Sequence, residues 1–202
     1  MLEEYNITQT TLKIIGLYAN NYHKSIHLRE IARETDVDVK SIQLQLKKLE
    51  RINILSSAVK GRNKEYTLNL GNIITKNYLI MAESFTTILY LKKHFLVKKI
   101  LDEISDKTDG PLIVFGSFVK GGHTKESDID LFVITEKKID KNAILKASDL
   151  VNRDINVKAS NRAQFLAGLQ DKDPLVNEVV ANHIILRGID EFCDIMWRYH
   201  AG

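Results

Sequence analysis

Cysteine, proline and long apolar runs are all scarce in this sequence. The single cysteine, Cys193, excludes an intramolecular disulfide, and two prolines with no low-complexity tract argue against long disordered segments. No apolar run approaches the roughly 20 residues that a helix needs to span a bilayer. The first residues, MLEEYNITQT, lack the basic and then apolar pattern of a signal peptide. We therefore expect a cytoplasmic protein that does not contact a membrane.

Length and charge allow two small domains of different character. The chain has 202 residues, and domains commonly hold roughly 100–150. The net charge is only +3, but residues 1–70 carry 11 Lys and Arg against 8 Asp and Glu, whereas residues 111–202 carry 12 against 13. A slightly basic front is compatible with a nucleic-acid partner and does not establish one.

The first fifty residues show three helical patterns. The first is predicted over about residues 8–21, and the second follows His27 and ends near Asp36, a residue type that tolerates the left-handed turn conformation. Asp38 is well placed to cap the third helix, whose core-facing residues are Ile42, Leu46 and Leu49. Two helices joined by a short turn are typical of the helix-turn-helix, whose second helix lies in the major groove of DNA.

A basic hairpin follows these helices. Two short strands are predicted over residues 55–59 and 65–68, around the tip KGRNK at residues 60–64. The order of three helices and a hairpin resembles the winged-helix repressors of the multiple-antibiotic-resistance and arsenical-resistance regulator types, over residues 7–70. This resemblance implies that the protein binds double-stranded DNA.

The same resemblance assigns candidate DNA contacts. On the third helix, base edges or phosphates would be met by Lys40, Ser41, Gln43 and Lys47. On the hairpin, Arg62 and Lys64 would reach the DNA backbone or the minor groove. The alternative is a domain that docks another protein and carries these polar side chains only as a solvated face.

Residues 73–106 are compatible with one helix throughout, because they contain neither proline nor glycine. Their apolar side chains spread over a wider band than one buried stripe needs. We expect residues 73–95 to connect the two domains and to pair with a second copy in a homodimer, since a two-fold repressor reads a two-fold operator. The alternative is a connector that is buried within one chain.

The rear half contains a candidate phosphate-binding loop. Residues 112–115, LIVF, form an apolar run of strand length that ends in Gly116 and Ser117. Glycine lets the backbone approach a ligand closely, and the amides at the start of a following helix attract an anion. The hydroxyl of Ser117 adds a further hydrogen-bond donor.

A second apolar strand carries two aspartates. In the segment SDIDL, residues 127–131, alternate side chains point to the same side, so Asp128 and Asp130 face together. Two adjacent carboxylates repel one another and resist burial. Such a pair is favourable chiefly with a divalent cation between them, and Mg²⁺ takes one or two carboxylates together with phosphate oxygens. The sequence therefore predicts that Asp128 and Asp130 bind Mg²⁺ beside the phosphate loop.

The complete motif is Gly-Ser, three residues, Gly, five residues and then Ser-Asp-Ile-Asp-Leu. It resembles the signature of the DNA polymerase beta-like nucleotidyltransferases, and in particular their minimal prokaryotic, antitoxin-type branch, over about residues 96–189. The resemblance implies transfer of a nucleoside monophosphate to a hydroxyl, with Asp128 and Asp130 as catalytic metal-binding residues. It also implies that ATP or another nucleoside triphosphate is bound by Gly116, Ser117, Lys120, Gly121 and Ser127. Lys120 stands where many relatives have arginine, which keeps the charge and loses the bidentate geometry.

One departure from the family pattern concerns its third carboxylate, which helps to activate the acceptor hydroxyl. The corresponding strand here is DINVK, residues 154–158, in which Asn156 falls at the matching place. Asparagine can ligate a metal and cannot serve as a base. Either Asp154 takes the catalytic role through a register shift, or the site binds a nucleotide without efficient transfer.

These patterns together predict an α+β protein with three parts. They are a winged-helix DNA-binding domain at residues 1–72, a connecting or dimerisation helix at 73–95, and a nucleotidyltransferase domain at 96–202 with a mixed sheet flanked by helices. The expected function is transfer of a nucleotide, AMP foremost, from a magnesium-bound triphosphate to a hydroxyl. A partner protein is one acceptor hypothesis, because small relatives adenylylate partner toxins. The rivals are a transcription regulator whose rear domain is a nucleotide sensor or inactive, and a purely structural partner of another protein.

Overall fold

The computed structural model describes residues 7–61, 63–124 and 126–201. It divides the chain into two compact units: one runs up to Phe85 and includes the residues from Met196 onward, and the other runs from Thr86 to Ile195. In the part of the chain so described, no helix combines the length and the apolar character needed to cross a bilayer. The predicted domains at 1–72, 73–95 and 96–202 stay a prediction.

The first unit contains helices and a small antiparallel sheet. Its elements in chain order are α1 (Gln9–Gly16), β1 (Ile26–His27), α2 (Leu28–Thr35), α3 (Val39–Arg51), β2 (Leu55–Lys60) and β3 (Asn63–Leu68). The predicted cap is confirmed, because the Asp38 side chain accepts a hydrogen bond from the Ser41 amide at the start of α3. Asp36 has the predicted left-handed conformation at φ 52° between α2 and α3. The core-facing side chains of α3 are the predicted Ile42, Leu46 and Leu49.

Two details of this unit differ from the prediction. Helix α1 ends at Gly16 instead of near residue 21, and the next residues form turns in which the Tyr18 amide bonds the Ile15 carbonyl at 3.0 Å. Tyr18 lies beyond the end of the helix and is nevertheless fully buried, so the buried apolar side chains extend further along the chain than the helix does. The sheet also has a third, unpredicted strand, because the two-residue β1 pairs with β3 in the order β1-β3-β2.

Residues 73–106, which the sequence allowed as one helix, form two helices, and the first spans nearly all of the predicted helical segment at 73–95. Helix α4 (Ile73–Lys93) ends before His94, whose backbone at φ −113° and ψ 73° is not helical, and α5 (Phe95–Ile104) follows with a short 3-10 turn at Ser105–Lys107. The break turns Val97, Ile100 and Ile104 of α5 into the core of the second unit, where all three are fully buried. No proline or glycine marks this break in the sequence, and the burial of α5 is the feature that accounts for it.

The second unit is built on a mixed four-stranded sheet. After α5 its elements are β4 (Leu112–Phe115), α6 (Ser117–Lys120), β5 (Ile129–Ile134), α7 (Lys141–Val151), β6 (Ile155–Ser160), α8 (Arg162–Gln170), α9 (Pro174–Ala181), β7 (His183–Arg187) and the part of α10 (Ile189–Ala201) up to Ile195. The strand order is β6-β5-β4-β7, with β5 and β6 parallel and the other pairs antiparallel. The predicted α+β class, with a mixed sheet flanked by helices, is confirmed.

Helices cover both faces of this sheet. On one face, Leu131 and Val133 of β5 pack with buried residues of α5 and α7. On the other face, the ring of Phe132 lies 5.8 Å from that of Phe165 in α8. The alternation along β5 therefore sends odd-numbered side chains towards α5 and α7, and even-numbered ones, Asp130 among them, towards α8.

Candidate active site

Two aspartates at the start of β5 lie on the same side of the sheet. Asp128 immediately precedes the strand and is exposed, whereas Asp130 is the second residue of the strand and is partly buried. Ile129 and Leu131 point the other way and are fully buried. The side chains alternate as the sequence predicted, and the polar side of this short segment consists of two carboxylates.

Asn156 of the neighbouring strand contacts both carboxylates. Strands β5 and β6 pair in a parallel register that places Asn156 opposite Asp130. The Asn156 Nδ2 atom donates to Asp128 Oδ2 at 3.2 Å and lies 3.5 Å from Asp130 Oδ1. The amide group therefore offsets part of the repulsion between the two aspartates.

The carboxyl group of Asp130 is poorly stabilised as an anion. Burial raises its pKa above the ordinary value, the negative charges of Asp128 and Glu178 raise it further, and the hydrogen bond from Asn156 works in the opposite direction. A nearby cation would relieve both the burial penalty and the repulsion. The electrostatics of Asp130 thus favour a site for a positively charged ligand.

The turn after β4 holds the phosphate-loop candidate against Asp130. Gly116 has φ 72° and ψ −143°, a backbone conformation that is essentially limited to glycine. A Cβ atom at this position would lie only 2.7 Å from Asp130 Oδ2. Glycine is therefore required by the backbone angles, and any side chain at this position would displace the Asp130 carboxylate. Ser117 follows directly as the first residue of α6, so the loop and the aspartates meet at one place.

The donor set fits magnesium better than a metal that needs a protein-only cage. Among the residues that the structure describes, no group of three or more His, Cys, Asp and Glu side chains is arranged to hold a metal ion. Magnesium commonly uses only one or two carboxylates and takes its remaining ligands from water and substrate phosphates. The pair formed by Asp128 and Asp130, beside a glycine-serine loop, satisfies that requirement.

Lys120, a predicted nucleotide-binding residue, has a partner that the sequence did not indicate. Its Nζ atom lies 2.6 Å from Oε1 of Glu178 in α9, at the surface of the second unit. Glu178 is also one of the charges that raise the pKa of Asp130, which places it in the electrostatic surroundings of the aspartates. A triphosphate that used Lys120 would have to compete with this carboxylate.

The loop between α6 and β5 is fastened by its own polar groups. The Ser127 hydroxyl accepts a hydrogen bond from the Thr124 amide at 2.8 Å, so this predicted nucleotide-binding residue has a structural contact. Arg153 donates to the carbonyl oxygens of Thr124 and Ser127, both at 3.0 Å. Sequence reasoning missed Arg153, because its role depends on a loop far from it in the chain. Gly121, another predicted nucleotide-binding residue, follows α6 with φ 77°.

Asp154, the third predicted catalytic residue, lies beside the site and not between the aspartates. Its carbonyl oxygen accepts a hydrogen bond from the Ile129 amide at 2.9 Å, just before β6 begins. The register from Ile129 opposite Ile155 onward is uninterrupted, so no register shift brings Asp154 opposite Asp130. Its exposed side chain, together with Asp128, lines a polar recess of about 310 Å³. A catalytic role for Asp154 stays a prediction.

Comparison with known families is consistent with this geometry. Residues 97–185 match the nucleotidyltransferase domain family. The matched region includes the glycine-serine loop, both aspartates and Asn156, and it supports a nucleotidyltransferase in general without specifying an activity.

Comparisons of whole chains add little to this result. No curated protein matches the chain. A crystal structure of a toxin-antitoxin with AMP-PNP shares 18% identity, covers 50% of this chain and 82% of its own, and has a TM-score of 0.35. A crystal structure of MepR, a transcription regulator of the Staphylococcus aureus multidrug efflux pump MepA, shares 22% identity, covers 52% of this chain and 74% of its own, and has the same TM-score of 0.35. Likenesses of this size carry no argument about fold or function.

The predicted DNA-binding face of α3 is exposed. Its four candidate side chains are all exposed: Lys40, Ser41, Gln43 and Lys47. Leu44 lies among them with 55% of its surface exposed, and a single exposed leucine of this kind is ordinary on a protein surface. The arrangement suits a recognition helix, and DNA contact by these residues stays a prediction.

Two lysines of the hairpin form ion pairs that the sequence did not indicate. The Lys64 Nζ atom lies 2.7 Å from a carboxylate oxygen of Glu50, and the Lys60 Nζ atom lies 2.8 Å from one of Glu65. The hydrogen bond to Glu50 raises the pKa of Lys64, so this lysine is held as a cation by its own domain. Arg62, the other predicted contact, lies outside the described residues.

Proposed function

We propose that the rear domain binds a magnesium-nucleoside triphosphate, ATP foremost, and transfers the nucleoside monophosphate to a hydroxyl group. The observation that carries the proposal is the meeting of Asp128 and Asp130 beside the turn at Gly116 and Ser117. The family match over residues 97–185 supports the same class of reaction.

The residues divide the work of binding as follows. Asp128 and Asp130 hold the cation, and Ser117 and Lys120 contact the phosphates. Bound magnesium supplies positive charge that neutralises the triphosphate oxygens. The acceptor oxygen forms a bond to the α-phosphorus while the bond to pyrophosphate breaks. Asn156 cannot take the proton that the hydroxyl releases, so the proton passes to water, and we expect a slow transfer.

The proposal also names a binding partner for the winged-helix part and an acceptor for the nucleotide. We propose that the winged-helix part binds duplex DNA through α3, as a homodimer, and that the acceptor hydroxyl belongs to a partner protein. The exposed polar face of α3 supports the first statement. The open polar recess of about 310 Å³ beside Asp128 leaves room for an acceptor side chain next to the aspartates, which supports the second statement.

Nucleotide binding and transfer are tested separately. Calorimetry with the full chain should show ATP binding that requires Mg²⁺ and is lost in Asp130→Asn, whereas Asp102→Asn, an exposed aspartate on α5, should bind as the wild type does. Incubation of a lysate of the expression host with α-labelled ATP should leave more label on protein when the wild type is added than when Asp130→Asn is added. Well-folded protein that binds no nucleoside triphosphate with Mg²⁺ would refute the proposal.

A second candidate function is a nucleotide-sensing transcription regulator. The contact of Asn156 with both aspartates favours it, because the site then has the groups for binding and lacks a base. Fluorescent duplex DNA from upstream of its own gene is titrated with and without Mg²⁺-ATP. A nucleotide-dependent Kd without pyrophosphate release supports the sensor. Lys47→Glu should weaken DNA binding, and Lys172→Glu, in the rear unit, should not.

A further inference from the structure

The open edge of the second unit carries an apolar groove that the proposed nucleotide site does not use. Strand β6 is the last strand in the order β6-β5-β4-β7, and the groove lies between it and α7 with a volume of about 750 Å³. Its apolar lining consists of Ile139, Ile144, Leu145, Ile155, Val157 and Ala159. Leu145 leaves 62% of its surface exposed. Contiguous exposed apolar surface on a folded domain commonly marks an interaction site.

The main chain of β6 offers hydrogen-bonding groups at the same edge. The Ile129 amide donates to the Asp154 carbonyl and the Thr135 amide to the Ser160 carbonyl, both at 2.9 Å. In a parallel ladder, alternate residues of a strand bond the same neighbour, so the intervening Ile155, Val157 and Ala159 turn their main-chain groups towards the free edge. These three residues also line the groove. An extended chain can therefore add to β6 as a strand while its side chains enter the groove.

The rim of the groove is positively charged. Its charged lining residues are Lys137, Lys138 and Lys141, with no carboxylate. Lys137 lies 3.0 Å from Asp109, whereas no carboxylate in the described ranges forms an ion pair with Lys138 or Lys141. The nearby Asp140 uses its carboxylate to cap α7 by accepting from the Asn142 and Ala143 amides. A ligand that carries carboxylates next to apolar side chains complements this rim.

We propose that the groove and the free edge of β6 bind an extended segment of a partner protein in which apolar residues alternate with Asp or Glu. Asn156 lies in the same strand, and its side chain faces the aspartates on the opposite face of the sheet from the groove. Only β6 would therefore separate the docked segment from the aspartates of the candidate active site. Docking does not require nucleotide or transfer. The inference rests on the proposed function only in the role that it gives to docking, which is to bring the acceptor hydroxyl of the partner protein to the nucleotide site.

A random-peptide display library, panned against the full chain without nucleotide, tests this proposal. We expect enriched peptides with alternating apolar and acidic residues, and we measure their Kd by fluorescence polarisation. Leu145→Glu should weaken the best peptide at least about tenfold, and charge reversal of Lys138 and Lys141 should do the same. Leu150→Glu is the matched control, because Leu150 is an exposed leucine of α7 outside the groove and should leave Kd within about twofold.

Other results would overturn the proposal. These are the absence of an acidic-apolar consensus, or peptides that bind the Leu145→Glu variant as tightly as the wild type. A third is sedimentation showing a dimer that Leu145→Glu dissociates, which would make a second copy the occupant. Because Mg²⁺-ATP binding is measured by calorimetry on the same variants, failure of docking is distinguishable from failure of the nucleotide site.

Discussion

Replacement of Gly116 by alanine tests the link between the phosphate loop and the aspartate pair. The variant needs a side chain at φ 72° and ψ −143°, where residues other than glycine are strained. Its Cβ would also approach Asp130 Oδ2 to 2.7 Å, so the carboxylate has to move. Two separate effects follow, one on stability and one on binding.

The effect on stability follows from the backbone strain. A glycine-only conformation costs about 3 kcal/mol for alanine, which corresponds to a fall in Tm of about 6–12 °C for a chain of this size. Gly61→Ala is the matched control, because Gly61 has φ 62° and its added Cβ meets no heavy atom within 4 Å. We expect it to cost only about 1–2 kcal/mol.

The effect on binding separates the two variants. With Asp130 displaced, Gly116→Ala should weaken Mg²⁺-ATP binding by at least about tenfold, a loss of about 1.4 kcal/mol. Gly61→Ala should bind as the wild type does, and Asp130→Asn should lose binding. Calorimetry is performed below the Tm of each variant, with circular dichroism to confirm the fold. An unchanged Kd in folded Gly116→Ala would refute the idea that the loop and the aspartates form one site.

Three further predictions concern single side chains. Asn156→Asp adds a base between the aspartates, so we expect the rate of label transfer to rise by on the order of a hundredfold; an unchanged rate would show that the missing base does not limit the reaction. Glu178→Gln removes the carboxylate that holds Lys120 at 2.6 Å, and Mg²⁺-ATP should bind about two- to fivefold more tightly by calorimetry; weaker binding would show that Glu178 positions the lysine. Burial lowers the pKa of His200 to about 4, with His23 as a lesser cause, so the unfolded chain takes up a proton first as the pH falls below about 6.5. Stability to urea should therefore decrease from pH 7 to pH 5 in the wild type and less in His200→Gln, and equal slopes would contradict this assignment.

Much of the candidate site was predictable because its determinants are local. The alternation of Asp128 and Asp130 with Ile129 and Leu131 is a property of a strand, and the spacing from Gly116 is a property of the motif. The Asp38 cap and the left-handed conformation of Asp36 likewise depend on neighbours within a few residues. The motif also placed Asn156 at the third position, and its contact with both aspartates agrees.

Features that depend on distant residues were not predictable. The sequence indicated Lys120 and Lys64 as cations available to a ligand. In the structure, Lys120 pairs with Glu178, 58 residues away, and Lys64 pairs with Glu50, 14 residues away, because packing brings these carboxylates close. The break at His94 has no local signal, because burying α5 decided where the helix ended.

The sequence by itself determined which chemical groups this protein carries and on which side of each strand they lie, because side-chain direction follows from local backbone geometry. Only the tertiary structure decided which of these groups meet. The register between β5 and β6 places Asn156, and not Asp154, opposite Asp130. A register joins segments that are far apart in the chain, so it depends on the packing of the whole sheet and not on the residues beside it.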